Sequence, residues 1–166
     1  MPITPFHFGP GGAIHAIAPK HVSFLAFCAA NVVMDVEPLY YMVTGQFPLH
    51  RFFHTYIGAT LSLVITVALF LVALKLASVV PLPNLFGWKQ LTIRQITIGA
   101  ALGSYSHVVL DSLMHSDIRP LAPFSEENPL FRLVSLSILH WSCVVAGILG
   151  LVLIGIRSLL TEKSGL

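Results

Sequence analysis

Charged residues are scarce in this 166-residue sequence. Asp, Glu, Lys and Arg together make up 10% of it, whereas hydrophobic residues make up 55%. Soluble domains carry roughly 25% charged residues, so water alone could not solvate the surface of a chain with this composition. The deficit argues against an ordinary soluble domain and predicts a membrane protein.

The sequence also contains few cysteines and has a low net charge. The two cysteines, Cys28 and Cys143, lie in apolar stretches and form no CxxC motif, so we expect neither a disulfide nor a cysteine metal site. The formal net charge is only +2 and the basic residues are scattered, which argues against nucleic acid as a partner. Histidine, in contrast, is abundant, because eight His accompany nine Lys and Arg.

Two apolar segments are long enough to cross a bilayer. Residues 56–80 and 133–156 each exceed the ~20 apolar residues that span a hydrocarbon core of about 30 Å. A third segment, residues 93–114, is apolar but carries His107 and Asp111. An ionisable group at that depth costs at least ~2.5–3.5 kcal/mol, so these two residues need a partner or a function.

The N-terminal part predicts a shorter structure. Residues 13–34 are apolar apart from an interruption around Pro19 and Lys20, which indicates a helical hairpin that turns there. We therefore expect an all-α fold, a polytopic integral membrane bundle with one domain over residues 1–166. It has about five helices, three of them long membrane helices, and the lipid bilayer is its main partner.

Polar residues from separate segments are predicted to meet at one face of the membrane. The hairpin returns to the face where it starts, and the first long span begins there. The third segment ends at the same face. The side chains that gather at it are His7, Asp35, Glu37, His50, His54, His107, Asp111 and His115. Lys and Arg favour the opposite face by six to three, so the positive-inside rule places the site on the extracytoplasmic face.

The motif SHVVLDSLMHSD carries the strongest chemical pattern. His107, Asp111 and His115 recur every four residues, and residues at that spacing share one face of a helix. Imidazole and carboxylate groups on adjacent turns are natural ligands for zinc or another divalent ion. The alternative is a hydrogen-bonded His–Asp pair that joins two helices, and the stripe alone does not decide between them.

Two shorter motifs offer further candidate ligands. HRFFHT places His50 and His54 at helical spacing at the start of a span, where both could also act as interfacial anchors. MDVEP supplies Asp35 and Glu37, which do not share a face of a regular helix. Both acids could point to one site only if the chain is extended there; otherwise they are solvated acids at a helix end. Since buried like charges repel unless a cation lies between them, the combination favours a metal site.

The order of these motifs resembles the small prokaryotic inner-membrane family described as predicted membrane-bound metal-dependent hydrolases. That family has an early His, a D-x-D beside a proline, an HRG-x-x-H-S-like motif and G-x-x-SH-x-x-x-D followed by a P-F-type loop. This chain has, in the same order, His7, MDVEP, HRFFHT and GSYSHVVLD followed by IRPLAPFS, a match that ends at Ser125. It departs at Glu37, where the family has Asp, and in HRFFHT, where three residues rather than four separate the histidines. The resemblance implies a metal-dependent hydrolase in the inner membrane.

We therefore expect a hydrolase that cleaves a lipid or another amphiphilic (phospho)ester with a metal-activated water. One or two divalent ions, with Zn²⁺ preferred, would be bound by residues among His7, Asp35, His50, His54, His107 and Asp111. Glu37 or His115 would act as general base or would orient a ligand. Arg51 or Arg119 would bind a phosphate or carboxylate of the substrate.

Two alternatives from other classes stay open. A non-enzymatic metal-handling protein or transporter would use the same His/Asp cluster but needs a polar path to the opposite face. The polar residues available along that path are few, namely Thr60, Ser62, Thr66, Gln95 and Thr97. A bis-histidine haem protein would need His107 and His140 at matching depth.

Overall fold

The computed structural model describes residues 5–164, with side chains up to residue 160. Over this range the fold contains no strand and is built from five α-helices: α1 (Phe8–Ile17), α2 (Phe24–Val43), α3 (Tyr56–Ala77), α4 (Ile93–Met114) and α5 (Leu136–Ser164). Three short 3₁₀ turns lie at Pro5–His7, Phe52–His54 and Leu85–Gln90. The prediction of an all-α fold with about five helices is confirmed.

Hydroxyl side chains fix where the three central helices begin. Ser23 accepts a hydrogen bond from the backbone N–H of Ala26 at the start of α2, and Thr55 accepts one from Gly58 at the start of α3. Thr92 and Gln95 form a reciprocal capping box at the start of α4. Each cap satisfies N–H groups that have no partner within the helix, a contribution of about 0.5–2 kcal/mol.

The predicted N-terminal hairpin is present, but its second arm is longer than expected. The chain turns between α1 and α2 around Pro19, as predicted. α2 then continues through Pro38 to Val43, so MDVEP is helical and the condition under which both of its acids could point to one site is not met. Proline removes one helical hydrogen bond, and the packing of α2 against α3 and α4 outweighs that loss.

The five helices pack as two groups. α2, α3 and α4 contact one another, while α1 packs mainly against α5. Helices come close at glycines, as is common in membrane bundles. A Cβ atom on Gly103 of α4 would lie 2.5 Å from the carbonyl oxygen of Phe27 on α2, and one on Gly9 of α1 would clash with the carbonyl oxygen of Cys143 on α5.

Apolar side chains of the bundle face outwards. Two helical segments are long and apolar enough to cross a membrane, Tyr56–Ala77 and Leu136–Leu160, and only 22% and 11% of their most apolar windows are buried. The core helix of a soluble protein would be mostly buried. The interior of the described part instead holds many polar side chains, including six histidines and aspartates that are 5% exposed or less: His7, Asp35, His50, His54, His107 and Asp111.

The third predicted membrane span is not confirmed. α4 has 22 residues, the same length as α3, but does not reach the hydropathy of a spanning helix. Its buried face explains the difference, because it carries Ser104, His107, Asp111 and Ser112. The polar residues that lower its hydropathy are those that turn towards the centre of the bundle.

Candidate metal centre

Four ligand atoms from three segments converge inside the bundle: Oδ1 of Asp35, Nε2 of His54, Nε2 of His107 and Oδ2 of Asp111. Nε2 of His107 lies 3.2 Å from Nε2 of His54, 3.2 Å from Oδ2 of Asp111 and 3.4 Å from Oδ1 of Asp35. Nε2 of His54 lies 3.4 Å from Oδ2 of Asp111. We call these four residues the inner cluster, and all four are buried.

The helices position the inner cluster at one end of the bundle. Asp35 lies on α2, whereas His107 and Asp111 lie on successive turns of α4, as the stripe predicted. His54 ends the 3₁₀ turn that precedes α3. HRFFHT is therefore a tight turn and not the start of the spanning helix, and its second histidine enters the cluster from the loop.

The orientation of the His107 ring is set by Asn31. The side-chain amide of Asn31 donates from Nδ2 to the carbonyl oxygen of Phe27 at 2.8 Å, so its Oδ1 is the acceptor that faces His107. Nδ1 of His107, 2.8 Å away, must then carry the proton and donate it. A neutral His107 consequently presents the lone pair of Nε2 to the inner cluster.

Glu37 lies behind His54 rather than among the ligand atoms. Its carboxylate accepts hydrogen bonds from three successive backbone N–H groups, those of Arg51, Phe52 and Phe53, at 3.3, 3.1 and 2.9 Å. Its Oε2 is 4.0 Å from Nδ1 of His54. Although Asp35 and Glu37 are on one helix, only Asp35 reaches the inner cluster.

A second group adjoins the inner cluster and shares Asp111 with it. His50, Asp111 and His115 each offer a ligand atom, and these atoms lie within 4.8 Å of one another. We call this the outer group. The His50 and His115 rings pack together with centroids 4.4 Å apart. α4 ends at Met114 and His115 is extended, so the predicted stripe ends at Asp111 and His115 reaches the site by leaving the helix.

Asp117 holds the His50 ring in place. Its carboxylate lies 3.0 Å from Nδ1 of His50 and accepts the backbone N–H groups of Leu49 and His50. Burial alone raises the pKa of Asp117, but the neighbouring His50 and these hydrogen bonds bring it below its ordinary value. Burial, together with nearby His54, lowers the pKa of His50 to about 4, so its ring is neutral at pH 7. Burial likewise lowers the pKa of His115.

His7 lies at the edge of the inner cluster. Its Nε2 is 3.1 Å from Oδ1 of Asp111, and its ring packs edge-on against His107 with centroids 4.5 Å apart. It is 1% exposed. The six predicted metal ligands therefore all lie in or beside the two groups, with His50 and His54 assigned to different ones.

A cavity of about 470 Å³ adjoins the outer group. His50 and Asp117 line it, together with both predicted substrate-binding residues, Arg51 and Arg119. The guanidinium of Arg51 stacks on the ring of Tyr41 at 3.7 Å. Arg119 is exposed and pairs with Glu126. The remaining wall is largely apolar and is formed by Pro48, Phe52, Thr55, Ile57, Ala122 and Pro123.

Two residues of the site were missed from the sequence, Asn31 and Asp117. Asn31 precedes Asp35 by four residues in an otherwise apolar stretch, so helical spacing could have placed both on one face. Asp117 follows the end of α4, where no helical spacing applies. Its contact with His50 joins residues 67 positions apart, and no local pattern indicates it.

No family model matches this chain, and comparison with curated proteins and with solved structures gives no match either. The resemblance to the predicted membrane-bound metal-dependent hydrolases therefore stays a prediction.

Proposed function

We propose that this protein is a membrane-embedded, metal-dependent hydrolase whose inner cluster binds a divalent cation, with Zn²⁺ preferred. The observation that carries the proposal is the spacing of the four ligand atoms. Around zinc, four N and O ligands at 2.0–2.2 Å in a tetrahedron lie about 3.3–3.6 Å from one another. Four of the six separations are 3.2, 3.2, 3.4 and 3.4 Å, and all six are within 4.8 Å.

Hydrogen bonding alone accounts poorly for this arrangement. Nε2 of His107 has three close neighbours, but one ring nitrogen carries at most one proton and can donate it to only one of them. The cluster also holds two buried carboxylates, Asp35 and Asp111, which repel each other without a cation between them. A divalent ion would accept a lone pair from each of the four ligand atoms and would also neutralise the charge of the two carboxylates.

The outward-facing apolar helices support a place in the bilayer. α3 and α5 expose their apolar side chains over most of their length, which suits lipid contact. We propose a multi-pass inner-membrane topology with the site on the extracytoplasmic face, in line with the bias of Lys and Arg. Single cysteines at Glu127 and Asn84, in a background without Cys28 and Cys143, test it. An impermeant maleimide should label only the former in intact cells, and the reverse pattern contradicts the orientation.

The cavity beside the outer group suits an amphiphilic ester. Its apolar wall can bind a hydrocarbon chain, while Arg51 and Arg119 offer guanidinium groups to an anionic phosphate or carboxylate. A divalent ion bound here would supply a water molecule with a pKa near ~7 and would polarise the scissile bond. Hydrolysis would add the oxygen and one hydrogen of this water to the phosphorus or acyl carbon and break the bond to the ester oxygen. The other proton of the water would pass to that oxygen, which leaves as an alcohol.

The predicted general-base role of Glu37 or His115 remains a proposal. Because the carboxylate of Glu37 already accepts three N–H groups, it suits the orienting role better: it holds the turn that carries His54. His115 lies beside the cavity-lining His50.

Metal content tests the centre directly. We expect stoichiometric zinc in the purified wild-type protein and in His21→Ala, a control at the exposed hairpin turn. His107→Ala and Asp111→Ala should lose that zinc while eluting as the wild type does in size-exclusion chromatography. Equal, substoichiometric zinc in all four proteins would contradict the proposal. A screen of phosphoester and acyl lipids then tests the hydrolase activity.

The alternative, a non-enzymatic metal-handling protein or transporter, requires a polar path beyond the inner cluster. An apolar core lies further along α2 and α4, formed by Ala26, Ala30, Ile96 and Ala100 with Leu63, Val67, Phe70, Leu74 and Leu91 around it. The buried polar side chains on the adjoining part of α3, Ser62 and Thr66, are neutral hydroxyls and carry no charge to attract a cation, so we favour the hydrolase.

A further inference from the structure

The outer group forms a second set of candidate metal ligands beside the inner cluster. His50, His115 and Asp111 supply ligand atoms that lie within 4.8 Å of one another, from a loop, the residue after α4 and α4 itself. We propose that this group binds a second divalent cation, that Asp111 bridges the two ions, and that the second ion is the one that meets the substrate.

The strongest support comes from the unpartnered nitrogen of His50. His50 is 5% exposed, and its Nε2 is buried with no hydrogen-bond partner among the described residues. Its Nδ1 faces the carboxylate of Asp117 at 3.0 Å. Metal-binding histidines almost always donate their other ring N–H to such a group, which fixes the tautomer and aims the free nitrogen at the ion. His107 and Asn31 repeat this arrangement in the inner cluster.

The second carboxylate oxygen of Asp111, Oδ1, is available to bind a second ion. Its Oδ2 faces His54 and His107, as the inner cluster requires. Its Oδ1 is buried and lies 3.1 Å from Nε2 of His7 without forming a hydrogen bond. A carboxylate can bind a separate cation through each oxygen, and paired catalytic ions lie about 3.5–4 Å apart.

The two sites differ in how many protein ligands they supply and in whether a coordination position stays open. The inner cluster supplies four protein ligands, and all four are buried. The outer group supplies three, and His115 is half-exposed. Three protein ligands with one open position are typical of a catalytic site. The cavity that contains Arg51 and Arg119 is also lined by His50, so it lies beside the outer group.

If the proposed hydrolase function holds, this geometry restricts the class of substrate that the protein can cleave. Two ions that share a carboxylate ligand favour in-line displacement at phosphorus, because together they would stabilise the attacking and the leaving oxygens. The guanidinium groups of Arg51 and Arg119 suit the phosphate, and the apolar wall suits a hydrocarbon chain. The substrate class is then a lipid-like phosphoester rather than an acyl ester.

Zinc stoichiometry tests the outer site without reference to activity. Purified protein in detergent is titrated with Zn²⁺, and bound zinc is measured by mass spectrometry after removal of free ion. We expect two ions in the wild type and in the control His21→Ala. His115→Ala, His115→Gln and His50→Ala should bind one, and Asp111→Ala should lose both. Asp117→Asn should weaken only the second ion, by about 10–100-fold.

The outcomes separate this inference from the proposed function. Saturation of the wild type at one ion, or two ions in folded His115→Ala and His115→Gln, would overturn the outer site while leaving the inner cluster intact. Thermal melting and size-exclusion chromatography show which variants are folded. If two ions bind and acyl lipids are cleaved in place of phosphoesters, the outer site stands and the substrate assignment fails.

Discussion

Asn31 allows a sharp test of the metal centre because it contacts Nδ1 of His107, the ring nitrogen that does not face the inner cluster. Asn31→Leu keeps the branched shape of the side chain but removes the acceptor for Nδ1–H of His107, a contact of 2.8 Å between two buried groups. The ring then either keeps an unsatisfied buried N–H, at a cost of about 1–3 kcal/mol, or moves its proton to Nε2, the nitrogen that must bind the ion. Both outcomes weaken zinc binding.

The expected magnitude follows from the role of such partners in known metal sites. Loss of one costs about 10–100-fold in metal affinity, which is about 1.4–2.8 kcal/mol. The assay is competition for Zn²⁺ against a chromophoric chelator in detergent. Thr66→Val is the matched control, because Thr66 is also fully buried and its hydroxyl has no hydrogen-bond partner in the described part of the chain.

Two results would refute this reasoning. If Asn31→Leu binds zinc as tightly as the wild type, the Nε2 lone pair of His107 is not prepared by Asn31. If Thr66→Val loses as much affinity as Asn31→Leu, the effect reflects general disturbance of the polar interior. Unchanged affinity in Thr66→Val with a clear loss in Asn31→Leu supports the centre as described.

Three other predictions concern packing, substrate and metal removal. Gly103→Ala should lower the stability by about 1–3 kcal/mol, because its Cβ would lie 2.5 Å from the carbonyl oxygen of Phe27, whereas Gly155→Ala, with nothing within 4 Å, should leave the melting temperature unchanged or raise it. Arg119→Gln should lower kcat/KM for an anionic amphiphile by about 10-fold, mainly through KM, while the control Arg132→Gln should not; equal kinetics would remove Arg119 from substrate binding. Free zinc at about 100 times its Kd should stabilise the protein by about 2.7 kcal/mol, and a melting temperature that a chelator leaves unchanged would contradict a folded-state metal site.

Local spacing predicted one part of the site well. His107 and Asp111 are four residues apart on α4, and helix geometry alone places both on one face. His115 has the same spacing but lies after the end of the helix, so its place could not follow from periodicity. It reaches the centre through contact with His50, which is 65 positions away in the sequence.

The contacts between segments were harder to predict. They depend on the rotation and depth of each helix. α3 is weakly amphipathic, and only its buried small and hydroxyl residues, such as Gly58, Ser62 and Thr66, mark the face that turns inwards. The Asn31–His107 pair joins positions 76 residues apart, and nothing near either residue indicates the other. Threading the segments across the membrane predicted which ends meet, but not which atoms do.

The prediction of a membrane protein depended more on composition than on any local sequence pattern. α3 and the greater part of α5 are apolar enough to qualify as spans in both the sequence and the structure. α4 carries Ser104, His107, Asp111 and Ser112 on its buried face, and these residues lower its average hydropathy. A sequence average cannot separate that face from the rest of the helix.

The side-chain length of Glu37 has a consequence for how this site can vary. Its carboxylate crosses from α2 to the turn before α3 and meets three peptide groups at 2.9–3.3 Å. Aspartate at this position would draw the carboxylate back by about 1.5 Å, one carbon–carbon bond, and out of hydrogen-bonding range. A chain with aspartate here would therefore need a turn that approaches α2 more closely, so residue 37 and the number of residues between the two histidines should change together.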